Sequence, residues 1–234
     1  MSRTDGSHDW DKFVRFLAAG IGPIHIPEIL YSWRVHEGST SGNIDAKSYI
    51  RSSQRNVLNR FLRDRGKPDR YWLDYSPLFR RSPDWWIRRK REEPRPLSIV
   101  FFGASAEGRA DELRHEFAAT TDYPIERVWW LPEKELIRWL SERARGAEWR
   151  QGRMDTLVAL IHDEVRIEGG EWPWEALTHF ELYPDTCVVG GLLVRPTDRL
   201  ILSAGQYLGF GRGCETPDRG TALGSFGYFG QLRK

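Results

Sequence analysis

Three consecutive residues, His162-Asp163-Glu164, offer the most pointed chemistry in this chain of 234 residues. They follow directly on the apolar run 157–161, which reads as a strand, so their side chains emerge at its C-terminal end. Open α/β sheets bind ligands at that end. Two adjacent carboxylates there can hold a hard divalent cation through oxygen, with a nucleotide diphosphate supplying further ligands. The same residues would equally make a solvated acidic loop, and spacing does not choose between the two. Asp9 and Asp11, beside His8, offer a general base with orienting neighbours. They also fit the first turn of a helix, where the dipole favours negative charge. His36, within Trp33-Arg34-Val35-His36, offers a metal or phosphate contact or a plain surface imidazole. None of the six histidines forms an H-x-x-x-H pair and both cysteines lie far away, which argues against a zinc hydrolase.

Two glycine-containing stretches carry less. The turn Phe102-Gly103-Ala104-Ser105-Ala106-Glu107-Gly108 leads into a helix and offers backbone N–H groups to a phosphate. It has neither the Gly-Lys-Ser/Thr ending of a P-loop nor a G-x-G-x-x-G fingerprint, so it reads as a tight turn. Gly209-x-Gly211-x-Gly213 reads as a loop.

The elements that must position these residues follow from periodicity. From residue 97 onward, short apolar runs at 98–102, 127–131, 157–161 and 187–194 read as strands. Helical patterns lie between them, over 107–119, around Leu136, Ile137 and Leu140, and over 172–180. The alternation predicts an α/β fold: a mainly parallel sheet with helices on both faces. A small, mainly helical segment precedes it. There, Trp10, Phe13, Val14 and Leu17 share one helix face, with Ser7 as N-cap and Gly20 and Gly22 ending the helix. Residues 24–31 cross Pro27 and make at best a short edge element. After the polar loop EGSTSGN, a second helix carries Ile50, Val57, Leu58, Phe61 and Leu62 on one side and stops at Gly66. Between the two regions, residues 67–96 are punctuated by proline and dense in charge. They read as a linker with Trp72, Trp85 and Trp86 as aromatic anchors. Its basic run 88–91 is followed at once by Glu92 and Glu93, as in a solvated segment. The expected domains are therefore 1–66, 67–96 as linker, and 97–234.

Composition bounds the function. Thirty-five Lys and Arg against 33 Asp and Glu leave a net charge of +2, no electrostatic argument for nucleic acid. No apolar run approaches the roughly 18 residues of a membrane span, so any membrane association would be peripheral. The N-terminus lacks the apolar core of a signal peptide. Two cysteines cannot build a disulfide framework, and the expected compartment is the cytoplasm. Tryptophan is abundant at 11 residues. That suits either bulk packing or flat surfaces that stack on a sugar or base.

Two stretches together resemble the family 2 glycosyltransferases of GT-A fold. The first is Gly6-Ser7-His8-Asp9-Trp10-Asp11 followed by His25-Ile26-Pro27-Glu28-Ile29-Leu30-Tyr31-Ser32-Trp33-Arg34-Val35-His36 and on to Ser41. It is similar to the last part of such a domain, over roughly residues 5–65. The resemblance implies that Asp9 is the catalytic base and that Trp33, Arg34 and His36 contact substrate. His8 stands where the family usually has Glu or Gln. The second stretch, roughly 97–234, is similar to the beginning of another such domain, with Leu160-Ile161-His162-Asp163-Glu164-Val165 at its Asp-x-Asp region. There the resemblance implies that His162, Asp163 and Glu164 meet a divalent cation, Mn²⁺ or Mg²⁺. Three departures accompany it. His162 replaces the first Asp of that motif, Phe102-Gly103-Ala104 replaces a Pro-Thr ending, and Val128-Trp129-Trp130-Leu131-Pro132 lacks an aspartate. The chain reads as a fragment joining the end of one transferase domain to the start of a second, incomplete one. The implied activity is inverting transfer of a sugar from a nucleotide-sugar to a polysaccharide or glycan acceptor, weak in this chain by itself. The alternative is a degenerate, non-catalytic module that binds glycan or a partner subunit.

Overall fold

The computed structural model describes residues 4–24, 26, 28–32, 48–75, 85–104, 109–145, 156–210, 213–216 and 218–225. The chain divides into two compact units, residues 91–189 and residues 1–90 together with 190–234. The expected segment 97–234 is thus split, its last 45 residues belonging with the N-terminal region.

The 91–189 unit is built on three parallel strands. We number elements along the chain, and here they are β3 (Leu97–Gly103), α3 (Ala110–Thr120), β4 (Ile125–Pro132), α4 (Glu133–Ala144), β5 (Leu157–His162) and α5 (Trp172–Leu182). The strand order is β4-β3-β5, with β3 central and parallel to both neighbours. Central position explains its sequence: Leu97, Ser98, Ile99, Val100 and Phe101 are all buried, as a strand covered on both faces requires. Alternation sends Leu97, Ile99 and Phe101 to one face. There they pack with Leu113 and Phe117 of α3, one helical turn apart, and with Trp174 and Leu177 of α5. Trp129, register partner of Val100, points to the other face. Its ring meets Trp139 of α4 edge-on at 6.0 Å, and the Arg143 guanidinium lies 3.8 Å over Trp139. The expected α/β sheet with helices on both faces is therefore present. Its expected fourth strand is not: over 187–194 only Leu193–Val194 is extended in register (β6), antiparallel to Ile201–Ser203 (β7). The glycine pair Gly190-Gly191 offers no side chains to pack there, which weakens a strand.

A polar clamp secures the α5 side of this unit. Arg91 pairs with Asp122 at 2.6 Å and with Glu171, while the Trp174 indole N–H donates to Asp122 at 3.0 Å. The Trp174 bond, followed by Arg91, holds the Asp122 carboxyl below the usual carboxylate range. A lowered folded value stabilises above the unfolded pKa of about 3.9 and is lost as pH falls through the folded one. Trp174→Phe keeps a ring but deletes the donor. Melting curves at neutral pH and near pH 3 should show less acid sensitivity in the variant than in the parent; equal sensitivity would remove Asp122 from the account.

In the other unit, α1 (His8–Ala18) and α2 (Ile50–Asp64) are joined through charge. Asp11 is buried and paired with Arg60 of α2 and, at 2.9 Å, with Arg15. The apolar stripe expected to bury α1 does not do so, since Phe13 and Leu17 are exposed. Helix contact runs through the Asp11 side instead. Ser7 stands at the N-cap, but its backbone (φ −141°, ψ 32°) leaves Oγ without a hydrogen bond among the described residues. α2 follows expectation, burying Ile50, Val57, Phe61 and Leu62 and ending at Gly66 in the left-handed region, φ +81°. Residues 24 and 28–32 include no strand among the described residues.

The stretch expected as a linker is instead structured. β1 (Tyr71–Tyr75) and β2 (Trp85–Arg89) pair antiparallel, Tyr71 opposite Arg89 and Tyr75 opposite Trp85. One ribbon face turns inward with Tyr71, Trp85 and Arg89 buried, and Trp85 donates its indole N–H to Gln54 of α2 at 2.7 Å. Aromatic and β-branched residues concentrated in the two runs favour paired strands over the proline and charge signals. Two short strands, β8 (Tyr207–Phe210) and β9 (Gly213–Glu215), pair antiparallel further on.

Candidate functional site

Sheet order makes one place special. β3 leads to β4 on one side, and the chain then crosses to β5 on the other, so the connections diverge from between β3 and β5. The carboxyl ends flanking such a switch point form the natural ligand crevice. On the β3 side this end is Phe102, Gly103 and Ala104; on the β5 side it is His162, Asp163 and Glu164. Phe102 and His162 are register partners, with rings edge-to-face at 5.2 Å. The Asp163 N–H donates to the Phe102 carbonyl at 2.8 Å, extending the ladder one residue past β5.

Asp163 is 1% exposed. Its carboxylate lies against Gly103, in the space where any other residue would carry Cβ. Glycine at 103 is therefore dictated by the aspartate opposite. The side chains that reach solvent are His162, about one-third exposed, and Glu164. His162 Nδ1 stands 3.4 Å from Asp163 Oδ1 and 3.2 Å from the Glu164 N–H. The imidazole thus spans the turn, facing a carboxylate and a backbone donor at once. Among the described residues, no three His, Cys, Asp or Glu side chains converge as a metal cage.

The remaining sequence candidates are scattered or out of view. Asp9 is exposed in the first turn of α1, in the unit that does not contain Asp163. Its neighbour Asp11 is committed to the two arginines. Trp33, Arg34 and His36 lie outside the described residues, as do 105–108 of the turn after β3. A groove of about 270 Å³ lined by Arg114, Thr121, Glu126 and Arg127 opens at the start of β4, the opposite end of the strands from Asp163. It has no part in the switch-point crevice.

Sequence reasoning located Asp163 but missed its partner. Gly103 was visible only as a turn glycine; its meaning comes from the parallel register that brings it beside residue 163. No protein-family model, curated protein or solved structure matches the chain.

Proposed function

We propose that the chain is a family 2-type glycosyltransferase protein that takes a nucleotide-sugar donor and a glycan acceptor. The observation that carries the reading is the His162-Asp163-Glu164 turn at the switch point of a parallel sheet, beside the close-packed end of β3. In the reaction the resemblance implies, a carboxylate in the role of Asp9 accepts the proton of an acceptor hydroxyl, whose oxygen attacks the anomeric carbon. In this chain Asp9 and Asp163 lie in different units, and the fragment reading gives the base and the acidic turn to two different transferase domains. The bond from that carbon to the diphosphate breaks, and single displacement inverts the centre. Trp33, Arg34 and His36 serve as substrate contacts in the same reading.

A divalent cation, Mn²⁺ or Mg²⁺, belongs to the proposal only in part. The 3.4 Å between His162 Nδ1 and Asp163 Oδ1 suits two neighbouring ligands of one ion, with Glu164 beside them. The Glu164 N–H competes for the Nδ1 lone pair, and Asp163 is enclosed. Glu164 is the exposed oxygen donor of the turn, so an ion here would be held chiefly by a diphosphate. Such an ion would neutralise charge on the leaving group.

The burial of Asp163 favours the second reading, a degenerate module that binds glycan or a partner subunit without catalysis. Thermal shift separates the two. Stabilisation by a nucleotide-sugar panel with Mn²⁺ supports the transferase reading; stabilisation by oligosaccharide alone supports the second. Transfer activity of this chain is expected near background, and robust turnover abolished by Asp9→Asn would identify a working base.

A further inference from the structure

We infer that the outer face of the β1–β2 ribbon is a docking platform for a neutral glycan. Alternation places Trp72 and Asp74 of β1 on the same face as Trp86 and Arg88 of β2, Trp72 opposite Arg88 and Asp74 opposite Trp86. Trp72 is 42% exposed, unusual for the largest apolar side chain, and Asp74 is exposed beside it. The Arg88 guanidinium lies 4.1 Å from the Trp86 ring centre and 5.6 Å from that of Trp72. Stacking holds its planar fork in place between the two indoles.

This set matches the chemistry of a sugar ring. A pyranose presents C–H groups of partial positive charge on one face, which pack on the negative face of an indole. Its equatorial hydroxyls need both donors and acceptors. The five N–H groups of Arg88 supply donors beyond those its own contacts use, and Asp74, whose Oδ1 accepts from the Tyr75 N–H at 2.8 Å, keeps its second oxygen as acceptor. Charge selects against a polyanion. The outer positions of the two strands hold one cation and one anion, with exposed Lys90 just past β2, and the whole chain carries only +2. Nucleic-acid surfaces combine aromatic stacking with a basic track, which a carboxylate beside the stacking ring opposes. An apolar protein interface would not place both charges at the centre of the patch. The inner face of the same ribbon is already committed to α2, so the outward tryptophans are not needed for that packing.

The inference rests on the glycan-acceptor side of the proposed function and not on donor binding. Calorimetric titration of the full chain with cellohexaose, chitohexaose and maltohexaose tests it. At least one should bind, and Trp72→Ala should weaken it tenfold or more without moving the melting temperature. Trp72→Phe, which keeps a flat ring, should retain most of the binding. Should alanine disturb the ribbon, Trp72→Leu keeps the bulk without the ring face and carries the same expectation. No binding of any of the three, or binding indifferent to Trp72, overturns the inference. So does Trp72-dependent binding of a dodecathymidine strand instead. Nucleoside diphosphate titrated into the same chain reads donor binding separately, so the two ideas fail independently.

Discussion

Alanine at position 103 is expected to destabilise the 91–189 unit by about 3 kcal/mol, the upper end of what overpacking costs. The added methyl has nowhere to go, because the Asp163 carboxylate fills the site a Cβ would take. Neither partner can easily retreat. Gly103 is the last residue of β3, and Asp163 is tied to Phe102 through its own backbone N–H. Displacing the carboxylate would also break whatever satisfies it, a further cost for a buried charge. Asp163→Ala alone should be destabilising too, since it opens space and removes those interactions. Combined with Gly103→Ala, however, it also removes the clash. The double variant should therefore be more stable than the sum of the two losses predicts, by about 1 kcal/mol or more. Urea denaturation of the four proteins measures this coupling. Additive losses would mean that the two residues do not meet as described.

The second large effect concerns ligand binding. A nucleoside diphosphate with Mn²⁺ is expected to bind the full chain, and Asp163→Asn should weaken that binding at least tenfold. Asparagine fills the same volume beside Gly103, so the fold should persist, as ligand-free melting would check. What it loses is the negative charge and one acceptor oxygen. Mn²⁺ should outperform Mg²⁺, because His162 offers an imidazole nitrogen, which suits Mn²⁺ better. Equal, weak binding in parent and variant would leave Asp163 as a structural residue that fixes the end of β5.

Particular residues show what sequence could and could not reveal. The three parallel strands and their helices were legible because each is short, apolar and bounded by polar turns. Residues 97–101, buried on both faces, are apolar but for Ser98, and their shortness, the prolines before them and Gly103 after them decide for strand over helix. The ribbon was hidden by its own aromatics. Trp72 and Trp86 face outward while Tyr71 and Trp85 face inward, so hydrophobicity does not alternate even though the backbone does. In α1 the amphipathic stripe was real but its burial was not, because Asp11 and Arg60 provide the contact to α2. At the site, the position of Asp163 after a strand followed from the chain. Its depth did not, because burial depends on the register with β3, and adjacency in sequence carries no register.

The central claim is that the β3–β5 switch point receives the donor's diphosphate. Backbone amide shifts of the isotopically labelled full chain, followed during titration with a nucleoside diphosphate and Mg²⁺ (chosen because Mn²⁺ broadens signals), test it most directly. Gly103, Ala104, His162, Asp163 and Glu164 are predicted to move first and furthest. Unmoved spectra at millimolar ligand, or shifts confined to the groove beside Arg114 and Arg127, would contradict the assignment.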